Sequence, residues 1–309
     1  MKRHGAPAAS AAAALAAILF GASVVAIRIA VRDIPPLTLA VLRFGQGSLV
    51  LFVGLVAFRR DLLRIDRRDL PYFALLGIIF YTIFPVTFNA GMRYIEASRA
   101  ALLLATMPLW TVVIARLVVG ERLTRQQIAG VILSISGVAI VMIERRAITD
   151  GTHYSAKGDL LLLATALCGA LYNVLAKRML GRYAGLTVTV YAMAIGTLLL
   201  VPASLLERAP SVATLDRETL AMVIFVGVFG GALAFSLWTS ALSRLSPTQV
   251  SVFINLNPMA ATLLGATVLR ERLSIFFAVG FAAVVVGVMI VNWTATDNRP
   301  PGRLASQPQ

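Results

Sequence analysis

Apolar residues run along this chain in long unbroken blocks separated by short polar connections. A helix needs about 20 mostly apolar residues to cross a hydrocarbon core of ~30 Å. Ten stretches meet that length: 9–31, 37–58, 71–92, 97–118 and 125–143, then 158–178, 186–206, 218–241, 247–268 and 274–293. The runs lack the alternation of membrane β-strands, so the pattern predicts helices and no barrel. Segment 144–157 is a polar linker. Residues 1–8 form a short polar N-terminal tail. Residues 294–309 contain Pro300-Pro301 and read as a disordered C-terminal tail.

The same blocks carry an internal repeat. Residues 108–141 laid on 258–291 run 34 positions without a gap, 150 residues apart, and ten pairs are identical. These include Pro108 on Pro258, Glu121-Arg122-Leu123 on Glu271-Arg272-Leu273, Gly130 on Gly280 and Gly137 on Gly287. The predicted spans divide into two sets of five, 9–143 and 158–293. Five is odd, so two copies of one fold in a single chain must cross the membrane in opposite senses. The expected fold is therefore all-α and integral to the membrane, ten transmembrane helices arranged as two inverted five-helix repeats.

Composition agrees. The chain is 59% hydrophobic and 14% charged over 309 residues, against roughly 45–50% and about 25% for soluble domains. The formal net charge of +14 raises the question of nucleic acid. The basic residues lie in short loops between apolar runs, where they orient spans, and nucleic acid is not expected as a partner. With the N-terminus inside, inner segments hold 16 Lys+Arg and outer loops 10, and the loop with Arg59, Arg60, Arg64, Arg67 and Arg68 decides the sense. Both termini are expected in the cytoplasm, with the chain multi-pass in the cell inner (plasma) membrane. Cys168 is the only cysteine, so no internal disulfide is possible.

The residues also resemble a known family. Phe20-Gly21 and Arg28, Pro36 and Leu42-Arg43-Phe44, Ala90-Gly91-Met92-Arg93-Tyr94-Ile95, Gly120-Glu121-Arg122-Leu123, Gly158-Asp159-Leu160 and Glu271-Arg272-Leu273 are similar to the ten-helix branch of the drug/metabolite transporter superfamily with two EamA domains. The resemblance covers about 11–293. It implies export or exchange of small metabolites, often amino acids. Arg270 stands where that family usually has Gly before Glu, and no tryptophan precedes Gly21.

Candidate site residues come from polar and strained positions inside spans. Arg43 lies six residues into its span, about 9 Å deep, where its planar fork could hold a substrate carboxylate. A structural pair with Asp33, or snorkelling to the interface, is the plainer reading. Arg28 is nearer its helix end and is open to the same two readings. Pro85, Pro108 and Pro258 each remove a backbone hydrogen bond and free the carbonyls of Tyr81, Leu104 and Ile254. Irregular backbone at membrane depth is tolerated where it lines a cavity or is buried in protein. Around these positions lie Asn89, Trp110, Tyr172, Asn173, Trp238, Asn255 and Asn257, with Asn255 favoured over Asn257. Ordinary interhelical amide bonds explain the asparagines equally well. The Glu-Arg pairs at 121–122 and 271–272 read as salt bridges fixing tight hairpins, with a gate latch as the sharper alternative. The glycines seven apart read as close helix contacts.

No acidic residue lies near the middle of a span, and both histidines, His4 and His153, lie outside. HExxH, GxSxG and GxxxxGK[ST] are absent. The sequence thus predicts a transporter of small molecules in a lipid bilayer, working by alternating access, with no catalytic residues, metal or cofactor. Two other classes stay open: a multi-span enzyme acting on lipid-linked substrates, which would need a polar catalytic cluster at one interface, and a non-transporting membrane scaffold.

Overall fold

The computed structural model describes residues 6–119, 124–148, 156–208, 215–242, 253, 256–271 and 273–297. Those residues are helical apart from short turns. Helices α1 (Ala6–Ala30) and α2 (Pro36–Phe58) are followed by two 3₁₀ turns, Arg60–Leu63 and Arg67–Asp69. A continuous third helix is built from α3 (Leu70–Gly77), a π segment (Ile78–Ile83) and α4 (Phe84–Met92). Next come α5 (Ala97–Leu104), α6 (Met107–Val119), α7 (Arg125–Ile148), α8 (Ala156–Leu180) and α9 (Gly185–Ser204). The eighth predicted span is α10 (Arg217–Ile224), a second π segment (Phe225–Leu233) and α11 (Ala234–Leu242). Helices α12 (Leu256–Val268) and α13 (Ile275–Asp297) complete the described chain.

Six stretches are long and apolar enough to cross a membrane, 8–30, 36–58, 67–92, 156–180, 185–204 and 217–238, and three shorter apolar helices lie at 128–140, 256–268 and 275–287. The molecule is a multi-pass membrane protein. Helix α7 runs to Ile148, into the segment read as linker, and α13 runs to Asp297, into the predicted tail. Glu144, Arg145 and Arg146 are good helix formers, so the backbone continues beyond the apolar block.

Element boundaries repeat at the spacing read from the sequence. Helix α8 begins and ends 150 residues after α1, and α13 begins 150 after α7. Packing repeats as well. Helix α1 packs on α12 and α11; α8 packs on α6 and α4. Helix α2 packs on the second π segment, α9 on the first, and α2 on α9. Exchanging each element for its counterpart leaves this set of contacts unchanged. The most extensive helix contact is between α7 and α13. A Cβ added to Gly137 would stand 2.5 Å from the carbonyl oxygen of Gly280, and one added to Gly287 would stand 2.5 Å from that of Gly130. The Ser134 hydroxyl donates to the Val284 carbonyl between them at 3.2 Å. Numbers rise on one helix as they fall on the other, so these equivalent helices are antiparallel.

Two large core clusters, beside a small one of Ala13 and Ala241, fill much of the interior. One joins α1, α4, α5, α8 and α13 around Ile27, Met92 and Leu103. The other joins α2, the first π segment, α8 and α9 around Phe44, Tyr81 and Met193.

Candidate functional site

Proline chemistry sets the backbone around the candidate site. Pro85 has no N–H to give, and the helix before it widens: the Phe84 N–H donates to Ile79, five residues back. A π turn of this kind re-aims the side chains it carries. Pro108 acts differently. The predicted single span 97–118 is two helices separated by a turn at Ala105–Thr106. Pro108 stands in the first turn of α6, where its missing N–H costs nothing. The Thr106 hydroxyl closes the break on the Leu103 carbonyl at 2.6 Å. Pro258 is likewise in the first turn of α12.

The first π segment presents Tyr81 to Arg43. Arg43 is 8% exposed, and its guanidinium carbon lies 4.8 Å from the Phe44 ring centroid. Among the described residues, its Nε is buried without a hydrogen-bond partner, and no carboxylate pairs with it. The expected partner Asp33 is exposed and instead accepts from the Thr219 hydroxyl at 2.7 Å. A charge buried within a span is costly, and among the described residues no ion pair offsets it.

Aromatic rings extend from this point. Tyr81 meets Phe44 edge-on at 5.2 Å and Tyr172 at 6.2 Å. Tyr172 stacks on Phe80 at 4.4 Å. Tyr81 also contacts Phe235 at 6.4 Å, and Phe235 leads through Phe20 to Trp238. Arg43, Tyr172 and Trp238 are thus linked by one chain of rings drawn from both halves. The Tyr81 hydroxyl is near those of Tyr172 and Thr189 but meets hydrogen-bond geometry with neither. The Thr197 hydroxyl and one oxygen of Asn89 are also buried without partners, while the Asn89 amide donates to the Pro36 carbonyl at 3.0 Å. The repeat is unequal here. Adding 150 to Arg43 gives Met193, and adding 150 to Tyr81 gives Gly231. The shift is secure, because Gly227 meets Gln46 as Gly77 meets Gly196.

The remaining candidates lie elsewhere. The Trp110 indole donates to the Thr106 hydroxyl at 3.2 Å. It lines a separate apolar cleft of about 240 Å³ with Leu109, Val131, Ile135 and Leu163. Asn173 is exposed, with its amide 3.8 Å from the Met107 sulfur. The Asn257 carbonyl packs where a side chain on Gly21 would stand, closing α1 on α12. Asn255 and Ile254 lie outside the described residues, as do Glu121, Arg122 and Arg272. Arg28 donates to the Met92 carbonyl, with Arg32, Glu271 and Glu96 as charged neighbours.

Two polar features at that end escape sequence reasoning. Arg99 on α5 and Asp159 on α8 form a two-pronged pair, Nε–Oδ1 2.7 Å and Nη2–Oδ2 2.6 Å, with side chains 5% and 1% exposed. Glu271 accepts the N–H groups of Ala97 at 2.8 Å and Ser98 at 3.0 Å, capping α5 from the other half. A basic residue three positions into a span facing an acid at the start of another is the available signal.

Known proteins agree with this architecture. The EamA-like transporter family model matches residues 8–143 and again 156–293. A "Probable terminal-alkyne amino-acid exporter" of Streptantibioticus cattleyicolor is 31% identical over 271 residues, 86% of this chain and 88% of its own. A "Probable amino-acid metabolite efflux pump" of Salmonella typhimurium is 29% identical over 289 residues, 90% of this chain and 92% of its own. A solved crystal structure with 22% identity superposes at a TM-score of 0.66 over 94% of this chain and 98% of its own, which shows the fold. With two matched segments that together span nearly all of it, the chain belongs to the EamA-like transporter family.

Proposed function

We propose that this transporter exports small amphipathic metabolites bearing a carboxylate, amino acids foremost, by alternating access between two inverted five-helix repeats. The observation that carries the reading is Arg43: a guanidinium buried at membrane depth, facing an aromatic wall, with no counter-ion among the described residues. A substrate carboxylate supplies the missing charge, and the planar fork gives it two parallel hydrogen bonds. The rings of Tyr81, Tyr172 and Phe235 receive the apolar body. The names carried by the Streptantibioticus and Salmonella relatives support amino acids as the substrate class.

Antiparallel pairing of equivalent helices supports inversion. A two-fold relation that sets α7 antiparallel to α13 has its axis across the helices, in the membrane plane, and exchanging the halves about it opens the opposite side. Ten spans with both termini cytoplasmic complete the reading, the arginine-rich segment after α2 facing inward. The chain carries out no chemical step.

Counterflow in proteoliposomes tests the proposal. Saturable exchange of an amino acid, weakened at least tenfold by Arg43→Lys and abolished by Arg43→Gln at unchanged protein yield and melting temperature, is the expected result. Lysine keeps the charge but loses the fork. Loss of fold in step with loss of transport would remove Arg43 from the site. Absence of counterflow across amino acids, nucleosides and cationic drugs would remove the transport reading.

A further inference from the structure

The segment between α2 and α3 is built like a binding surface. Residues 59–69 hold five arginines and three aspartates. Two 3₁₀ turns, Arg60–Leu63 and Arg67–Asp69, shape it. Leu62, Leu63 and Ile65 pack inward on the core beneath.

The second half of the chain fixes its backbone. The Thr187 hydroxyl donates to the Leu62 carbonyl at 2.8 Å and the Tyr191 hydroxyl to the Leu63 carbonyl at 2.6 Å. The Asp66 N–H donates to the Tyr183 hydroxyl at 3.0 Å, and that hydroxyl donates to Asp69 at 2.6 Å.

Every carboxylate in the segment is already engaged. Asp61 pairs with Arg59 at 3.1 Å, Asp69 with Arg182 at 2.7 Å, and Asp66 accepts the Arg68 N–H at 2.9 Å. The side chains of Arg64, Arg67 and Arg68 are exposed and make no hydrogen bond or ion pair among the described residues. Arg178 adds a further exposed cation, lying over the Tyr72 ring at 5.4 Å.

The surroundings say what meets these guanidinium groups. Phe58, Leu180 and Leu70 on the same rim are 85%, 49% and 39% exposed. In a multi-pass membrane protein such residues face acyl chains, which sets the neighbouring arginines level with the phosphates. A guanidinium fork matches a phosphate oxygen pair. We propose that Arg64, Arg67 and Arg68, held in place from the second half, form a headgroup site for anionic phospholipid. Occupancy ties the segment more firmly to α8 and α9, since its frame is Tyr183, Thr187 and Tyr191.

The full chain, purified and placed in vesicles of phosphatidylcholine with phosphatidylglycerol, tests this by native mass spectrometry of the lipids retained. The wild-type chain is expected to retain phosphatidylglycerol over phosphatidylcholine. R64Q/R67Q/R68Q should lose that preference, at about fivefold per arginine. R64K/R67K/R68K, which keeps the charge but loses the fork, should fall between the wild type and the glutamine triple. The charge-matched R32Q/R208Q/R217Q, three exposed positions elsewhere, should behave as wild type. Equal losses in the two glutamine triples would mean diffuse attraction and overturn the site. So would retention of both lipids alike by the wild type. Displacement of the lipid by inorganic phosphate would assign the arginines to a soluble anion and overturn it equally.

Discussion

Gly137 and Gly287 sit on two antiparallel helices, and each faces the other helix's backbone at the same close approach, 2.5 Å from a notional Cβ to the carbonyl of Gly280 or Gly130. The obstacle is backbone, which cannot swing aside, so Gly137→Ala forces α7 and α13 apart. Overpacking of this kind costs about 1–3 kcal/mol. Gly287→Ala should cost at least as much, because its Cβ would also meet the Ser134 hydroxyl. The double variant should fall short of the sum, since the first substitution already separates the helices. Unfolding midpoints of the three variants in one detergent check all three statements.

Arg99 and Asp159 bind each other across the two halves with almost no access to solvent. Removing one partner strands the other, at about 3–5 kcal/mol. Arg99→Leu and Asp159→Leu alone should each lower stability by that order. The double leucine variant should recover most of it, because no buried charge is left. A double-mutant cycle read by thermal unfolding gives the coupling, and additive losses would contradict a dedicated pair.

Glu271 offers both carboxylate oxygens to the first two N–H groups of α5. Glu271→Ala leaves those donors without their acceptor and costs about 1–2 kcal/mol, as loss of a helix cap does. Glu271→Gln keeps one acceptor oxygen and should lie between. Amide exchange at Ala97 and Ser98 should rise in the same order, which ties the effect to the helix start and not to the hairpin where Glu271 resides.

Asp216 caps α10 by accepting the Thr219 N–H at 2.7 Å. That backbone hydrogen bond holds its carboxyl below the usual aspartate value. A carboxyl depressed in the folded state contributes stability above its unfolded value and loses that contribution as pH falls through the folded one. Stability should therefore decline below about pH 4. Asp216→Ala should lower the midpoint at neutral pH and show a smaller decline on acidification, measured by thermal melts across that range.

Much of the architecture was legible because it rests on apolar length and repetition. The 150-residue spacing seen in one 34-residue stretch recurs in helix ends and in contacts far outside it, from α1 with α8 to Gly77 with Gly227. The glycines seven apart proved to be a close helix contact, as their spacing suggests. What escaped reading depends on distance between halves. The expected pair of Glu271 with Arg272 lies outside the described residues, but the Glu271 carboxylate also holds N–H groups 174 and 173 residues away. Arg99 and Asp159 look like ordinary helix-end charges until the fold buries them together. Among the candidates, Arg43, Tyr172 and Trp238 converge through a chain of rings, whereas Trp110 lines an apolar cleft of its own. No periodicity separates two faces of adjacent helices, because each face is apolar in a membrane. Pro85 signalled a break, but a wider π turn satisfied the backbone instead.

The substitution of Met193 for Arg43 across the repeat gives the molecule a two-fold shape with a one-fold charge. A perfectly duplicated carrier would present the same interior whichever way it faced, and its two end states would be alike in energy. Here the cation belongs to one half only. On the proposed reading, a carboxylate at Arg43 would have no second arginine at the repeat-related position, which is Met193, and the inward and outward forms would differ in charge. Under the proposed alternating access, direction would then rest on a single side chain, with the backbone arrangement common to both halves.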